Sequence, residues 1–73
     1  MQPQQVLGNN VRRLREAKNW SQEDLAEKAD LHRTYVSGIE RGVRNPSLTI
    51  VFKLADGLGV EPGNLLHRNP SKP

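Results

Sequence analysis

The chain contains no cysteine, so neither a disulfide nor a thiolate zinc site can hold it together, and a reducing cytoplasm is its natural setting. Aromatic residues are scarce, with Trp20, Tyr35 and Phe52 the whole set. No apolar run approaches the ~18 residues of a membrane span. The opening MQPQQVLG carries neither the basic nor the apolar region of a secretory signal. Internal repeats, low-complexity tracts and a glycine-rich phosphate loop are missing as well. What remains is one small domain of 73 residues, 34% of them hydrophobic. A core built from so few apolar side chains needs well-packed helices or a second copy to be stable.

Catalytic patterns are missing too. His32 and His67 stand far apart without an HExxH motif or a third ligand, so no metal and no cofactor are expected. Ser21, Ser37, Ser47 and Ser71 have no positioned base and no G-x-S-x-G context. Glu23, Asp24 and Glu27 read as a solvated helix face. The chain is not expected to be an enzyme.

Charge is present and unevenly placed. Eleven Lys/Arg against eight Asp/Glu give +3 overall. Arg12, Arg13, Arg15 and Lys18 against Glu16 leave residues 11–18 at +3. Glu23, Asp24, Glu27 and Asp30 against Lys28 leave residues 22–30 at −3. Arg33, Arg41 and Arg44 against Glu40 leave residues 31–45 at +2. Such segregation offers a positive face to a polyanion and turns an acidic flank away from it.

Periodicity predicts an all-α fold of five helices without strands. The first runs from about Gln4 to Lys18, with Leu7, Val11 and Leu14 on one face and Asn19 as its left-handed stop. Ser21 opens the second in a capping box with Asp24, Trp20 staples onto Leu25, and Leu25, Ala26 and Ala29 point inward. Asp30-Leu31 is the turn. His32, a weaker cap than Ser, Thr or Asp, starts a third helix that buries Val36 and Ile39 and ends at Gly42. Ser47 caps a fourth helix whose Leu48, Val51, Leu54, Ala55 and Leu58 face the core before Gly59 stops it. Pro62 opens a short fifth carrying Leu65 and Leu66.

Two short helices joined by a tight turn over SQEDLAEKADLHRTYVSGIERG resemble the helix-turn-helix of the phage repressor and Cro type, in which the second helix lies in the DNA major groove. The likeness extends through RNPSL to the LGV…LL ending, about residues 7–66. RTYVSGIERGVRNPSL is most similar to the small controller proteins of restriction–modification systems. The resemblance implies a compact lambda-repressor-like fold that regulates transcription by sequence-specific binding of double-stranded DNA. It implies contacts from Gln22, Arg33, Thr34, Tyr35, Ser37, Gly38, Arg44 and Asn45. It also implies a homodimer with the last helix in the interface, and a palindromic operator. His32, where a small cap is usual, becomes a further candidate base contact.

Position divides these residues. Arg33 and Thr34 occupy the first turn of the entering helix, where an arginine can take guanine O6 and N7 together and a threonine can meet a thymine methyl. Tyr35 can pack on sugar or bases, or fill the core edge. Gly38 costs about 0.5–1 kcal/mol in a helix, justified either by close approach to DNA or by helix packing. His32 and Arg44 complete the base-reading set, while Gln22, Ser37, Arg41 and Asn45 border the groove as phosphate contacts. Arg15 and Glu40, each at the edge of an apolar stripe, are expected to pair between the first and third helices. Leu65 and Leu66 cannot both face one core line, which predicts a dimer interface at the end of the fourth helix and the fifth. Residues 1–5 are expected to fray, 6–67 to form the DNA-binding domain and 68–73 to form a flexible tail. Expected partners are DNA, a second copy and the transcription machinery, with no membrane. Two alternatives stand beside this reading: an antitoxin with a toxin partner, and the N-terminal DNA-binding module of a larger regulator.

Overall fold

Proline is tolerated in the first turn of a helix, where its missing N–H has no intrahelical partner in any case. Pro3 accordingly opens α1 (Pro3–Ala17), inside the stretch 1–5 marked for fraying, and the Gln2 N–H donates to Gln5 Oε1 at 3.0 Å. The computed structural model describes residues 2–68, and among them the remaining helices are α2 (Gln22–Ala29), α3 (Arg33–Glu40), α4 (Leu48–Leu58) and α5 (Pro62–Leu66), with no strand. Of the tail expected at 68–73, residues 69–73 lie outside the described residues. No described helix is long and apolar enough to cross a membrane.

Four helices stop in the same way. Asn19, Asp30, Gly42 and Gly59 take left-handed φ values of 61°, 57°, 75° and 72°. The next residue then reaches back: Trp20 N–H to Arg15 O, Leu31 to Ala26, Val43 to Gly38 and Val60 to Ala55, at 2.8–3.2 Å. These are Schellman turns, which satisfy carbonyls the helix leaves orphaned. Asn and Asp can replace glycine there because a short polar side chain tolerates that conformation. The starts are equally explicit. Ser21 Oγ accepts from the Asp24 N–H at 3.0 Å while Asp24 Oδ2 accepts from the Ser21 N–H at 2.9 Å. Ser47 Oγ accepts from the Ile50 N–H at 3.4 Å.

The core gathers Leu7 and Val11 of α1, Leu25, Ala26 and Ala29 of α2, Val36 and Ile39 of α3, Val51, Leu54, Ala55 and Leu58 of α4, and Leu65 of α5. Leu14, Trp20, Leu31 and Tyr35 close its edges. Leu48 departs from expectation: it is 68% exposed instead of facing the core. The buried stripe of α4 is set by Val51, Leu54, Ala55 and Leu58. Leu48 and Phe52, one turn apart, share a different face.

Two polar or small residues fix how α1 meets its neighbours. A Cβ on Gly8 would collide with the Ile39 carbonyl oxygen and stand 2.9 Å from that of Glu40, so only glycine lets α1 lie on the last turn of α3. Buried Asn10 donates through Nδ2 to the carbonyls of Leu65 and His67, both at 2.8 Å, and accepts from Arg13 at 3.2 Å. A five-residue helix has little cohesion of its own. Asn10 supplies the donors that the end of α5 needs.

Candidate nucleic-acid interface

A helix that offers one face to DNA must be held from behind. Glu40, in the last turn of α3, takes Arg15 in a two-point grip: Nε donates to Oε2 at 2.7 Å and a terminal nitrogen to Oε1 at 2.9 Å. The side chains are 11% and 3% exposed. Arg15 also donates to the Trp20 carbonyl at 2.6 Å, and Gln22 Nε2 donates to Glu40 Oε1 at 3.0 Å. Glu40 and the arginine it holds therefore tie together α1, the turn before α2, the start of α2 and the end of α3. Hydrogen bonding to Glu40 raises the Arg15 guanidinium above its ordinary pKa, against the opposing pull of burial. No described buried side-chain polar atom lacks a partner.

In front of this anchor, Gln22, Arg33, Thr34 and Ser37 line one hollow between the start of α2 and the first turns of α3. Arg33 and Thr34 are exposed, while Gln22 and Ser37 are half-buried. Gln22 has one amide N–H committed to Glu40, leaving its second for a ligand. His32 caps α3: its Nδ1 accepts from the Thr34 N–H at 3.2 Å, so only Nε2 is left for DNA. That imidazole acceptor replaces the hydroxyl or carboxylate usual at a helix start.

The loop after α3 folds back over the same face. Arg44 lies along the helix with its guanidinium carbon 5.2 Å from the Tyr35 ring centre. A Cβ on Gly38 would stand 2.6 Å from Arg44 Cγ. Gly38 is buried, so the base contact expected of it is corrected: the arginine covers it, and its lack of a side chain makes room for that arginine. Tyr35 is half-buried between the core edge and Arg44, while Arg41 and Asn45 are exposed on either side of the loop turn.

The expected dimer face needs a second correction. Leu65 is fully buried in the chain's own core and is unavailable to a partner, whereas Leu66 is 53% exposed. At the end of α4, Leu58 is buried as well, and the exposed apolar residues of that helix are Leu48 and Phe52. Sequence reasoning missed the Asn10 tie, the Gln22–Glu40 bond and the Arg44 stack. The spacing of Leu48 and Phe52, four apart, was a legible signal that went unused. The Asn10 and Gln22 contacts join distant segments and leave no local trace.

The helix-turn-helix family matches residues 11–65. Control protein C.BamHI of Bacillus amyloliquefaciens is 53% identical over 62 residues, covering 84% of this chain and 76% of the relative. Control protein C.SmaI of Serratia marcescens is 42% identical, covering 99% and 86%. The crystal structure of the restriction–modification controller protein C.AhdI from Aeromonas hydrophila superposes with a TM-score of 0.82 at 48% identity, covering 85% of this chain and 94% of that one. The antitoxin alternative gains nothing from these likenesses. Families of this kind are regulators and not enzymes, and the chain belongs to the helix-turn-helix family, among its control proteins, as a DNA-binding regulator of transcription.

Proposed function

We propose that the protein acts as a homodimer on a palindromic operator, each subunit laying residues 32–41 in a major groove, half-sites about one helical turn apart. Arg33 and Thr34 read base edges. Gln22, Ser37, Arg41 and Asn45 hold the phosphates on either side, and the exposed imidazole edge of His32 borders the same groove. The observation that carries this reading is the hollow shared by Gln22, Arg33, Thr34 and Ser37, since it joins a helix N-terminus to the opening turn of α3. Leu66 with Leu48 and Phe52, apolar and exposed, supplies a dimer face. Resemblance to controller proteins makes a restriction–modification promoter the natural target.

Selection of bound duplexes from a random pool tests the proposal, because a two-fold product reveals site and symmetry together. Arg33→Ala should lower affinity for the selected duplex far more than for scrambled DNA, whereas Gln22→Ala should weaken both about equally. Isotherms at one fixed salt concentration read this directly. An Arg33→Ala protein that keeps its full selected-to-scrambled ratio refutes the assignment.

A further inference from the structure

Arg44 is an exposed arginine whose side chain is nevertheless held along its length. The Schellman turn at Gly42 brings the Val43 N–H to the Gly38 carbonyl at 3.1 Å, which turns the chain back onto α3. The methylenes then lie where a Gly38 side chain would be, with Cγ, Nε and Cδ at 2.6, 3.1 and 3.4 Å from that position. The guanidinium stands over the Tyr35 ring. Among the described residues no ion pair involves Arg44, so the aromatic face is its anchor in place of a carboxylate. A guanidinium held over a ring face and not by a carboxylate keeps its N–H groups uncommitted, and those groups can take two acceptors of a guanine at once. Its rotamer freedom is also reduced before any ligand arrives, so binding has less to order.

We propose that Tyr35 and Gly38 are positioning residues: together they form a seat that holds Arg44, for which the family resemblance already implies a DNA contact, in the orientation in which it reads a base beside Arg33. The inference rests on the reading that α3 enters a major groove. It gives Tyr35 an indirect role, exerted through its ring and not through its hydroxyl. It also gives the unfavourable glycine in the middle of α3 a reason that concerns DNA and not stability. Alanine is the better helix former, and the atoms it would displace belong to a flexible side chain.

The test compares wild-type protein with variants on two duplexes: the sequence that wild type selects from a random pool, and its scramble. Arg44→Ala should lower the selected-to-scrambled affinity ratio. Tyr35→Leu, which keeps an apolar group at the core edge but removes the ring, should lower it roughly 3- to 30-fold. Tyr35→Phe should stay within about twofold of wild type because the ring face is intact. Adding Tyr35→Leu to Arg44→Ala should change nothing further. Gly38→Ala should melt no lower than wild type and still lose ratio as Tyr35→Leu does, and it decides the matter alone if Tyr35→Leu unfolds. Additive losses in the double variant, equal losses for Phe and Leu at position 35, or an unchanged ratio for Gly38→Ala each overturn the proposal. Failure of the groove reading itself looks different, since wild-type protein then enriches no sequence at all.

Discussion

Glu40→Ala is the most informative perturbation of stability in this chain. It deletes the carboxylate that receives two bonds from Arg15 and one from Gln22. The guanidinium, 11% exposed, keeps the Trp20 carbonyl, and its other acid neighbour is Glu16 at 3.9 Å, 56% exposed and weakly placed. Breaking one side of a buried pair costs about 3–5 kcal/mol. The lower end, about 3 kcal/mol, applies because Arg15 retains one good acceptor and a path to solvent. A domain of this length has roughly 4–11 kcal/mol in total, so the loss is a large share. At about 4–8 °C per kcal/mol for a domain of this size, the melting temperature should fall by about 12–24 °C. Thermal melts followed by far-UV circular dichroism, at one protein concentration so that dimerisation contributes equally, measure it. Replacing both partners with Arg15→Met and Glu40→Leu should recover most of the loss, because no buried charge is then stranded. A fall of less than about 4 °C for Glu40→Ala, equivalent to under 1 kcal/mol, refutes the argument that this carboxylate holds three helices together.

Further expectations follow from single contacts. Gly8→Ala should lower stability by about 1–3 kcal/mol despite alanine's better helix propensity, because its methyl meets the backbone oxygens of Ile39 and Glu40; a denaturant melt at or above the wild-type midpoint would contradict this. Asn10→Leu should cost about 1–3 kcal/mol by stranding the carbonyls of Leu65 and His67, with amide exchange in α5 accelerating before that in α2; uniform exchange would count against it. Leu66→Lys should move the protein toward monomer in sedimentation equilibrium with little change in monomer folding, since the residue is half exposed. Leu65→Ala should instead unfold the chain by about 2–5 kcal/mol, and a soluble, well-folded Leu65→Ala monomer would reverse the assignment of the two leucines.

Local signals in the sequence determined the helices and their ends. Ser21 with Asp24, Ser47, Asn19, Gly42, Gly59 and Pro62 are punctuation that acts within a few residues, through caps, left-handed turns and a fixed φ. The apolar periodicity of α1, α2 and α3 likewise placed Val11, Leu25, Val36 and Ile39 in the core. Exposure of Arg33 and Thr34 follows from the same helical geometry. Adjacent residues at a helix start or end escaped that logic. Leu48 read as core, and Leu65 and Leu66 read as equally available to a partner, because period alone does not say which neighbour covers a terminal turn. Only tertiary packing decided that Leu65 is enclosed and Leu66 is not. It also brought Gln22 onto Glu40, Asn10 under α5, and Arg44 over Gly38 and Tyr35. The first two contacts join separate helices. The third depends on the left-handed turn at Gly42 that reverses the chain onto the helix it has just left. A chain's own periodicity can orient each helix toward a core, but which carbonyl, carboxylate or ring a side chain meets there is set by the neighbour, and the neighbour is chosen by the fold.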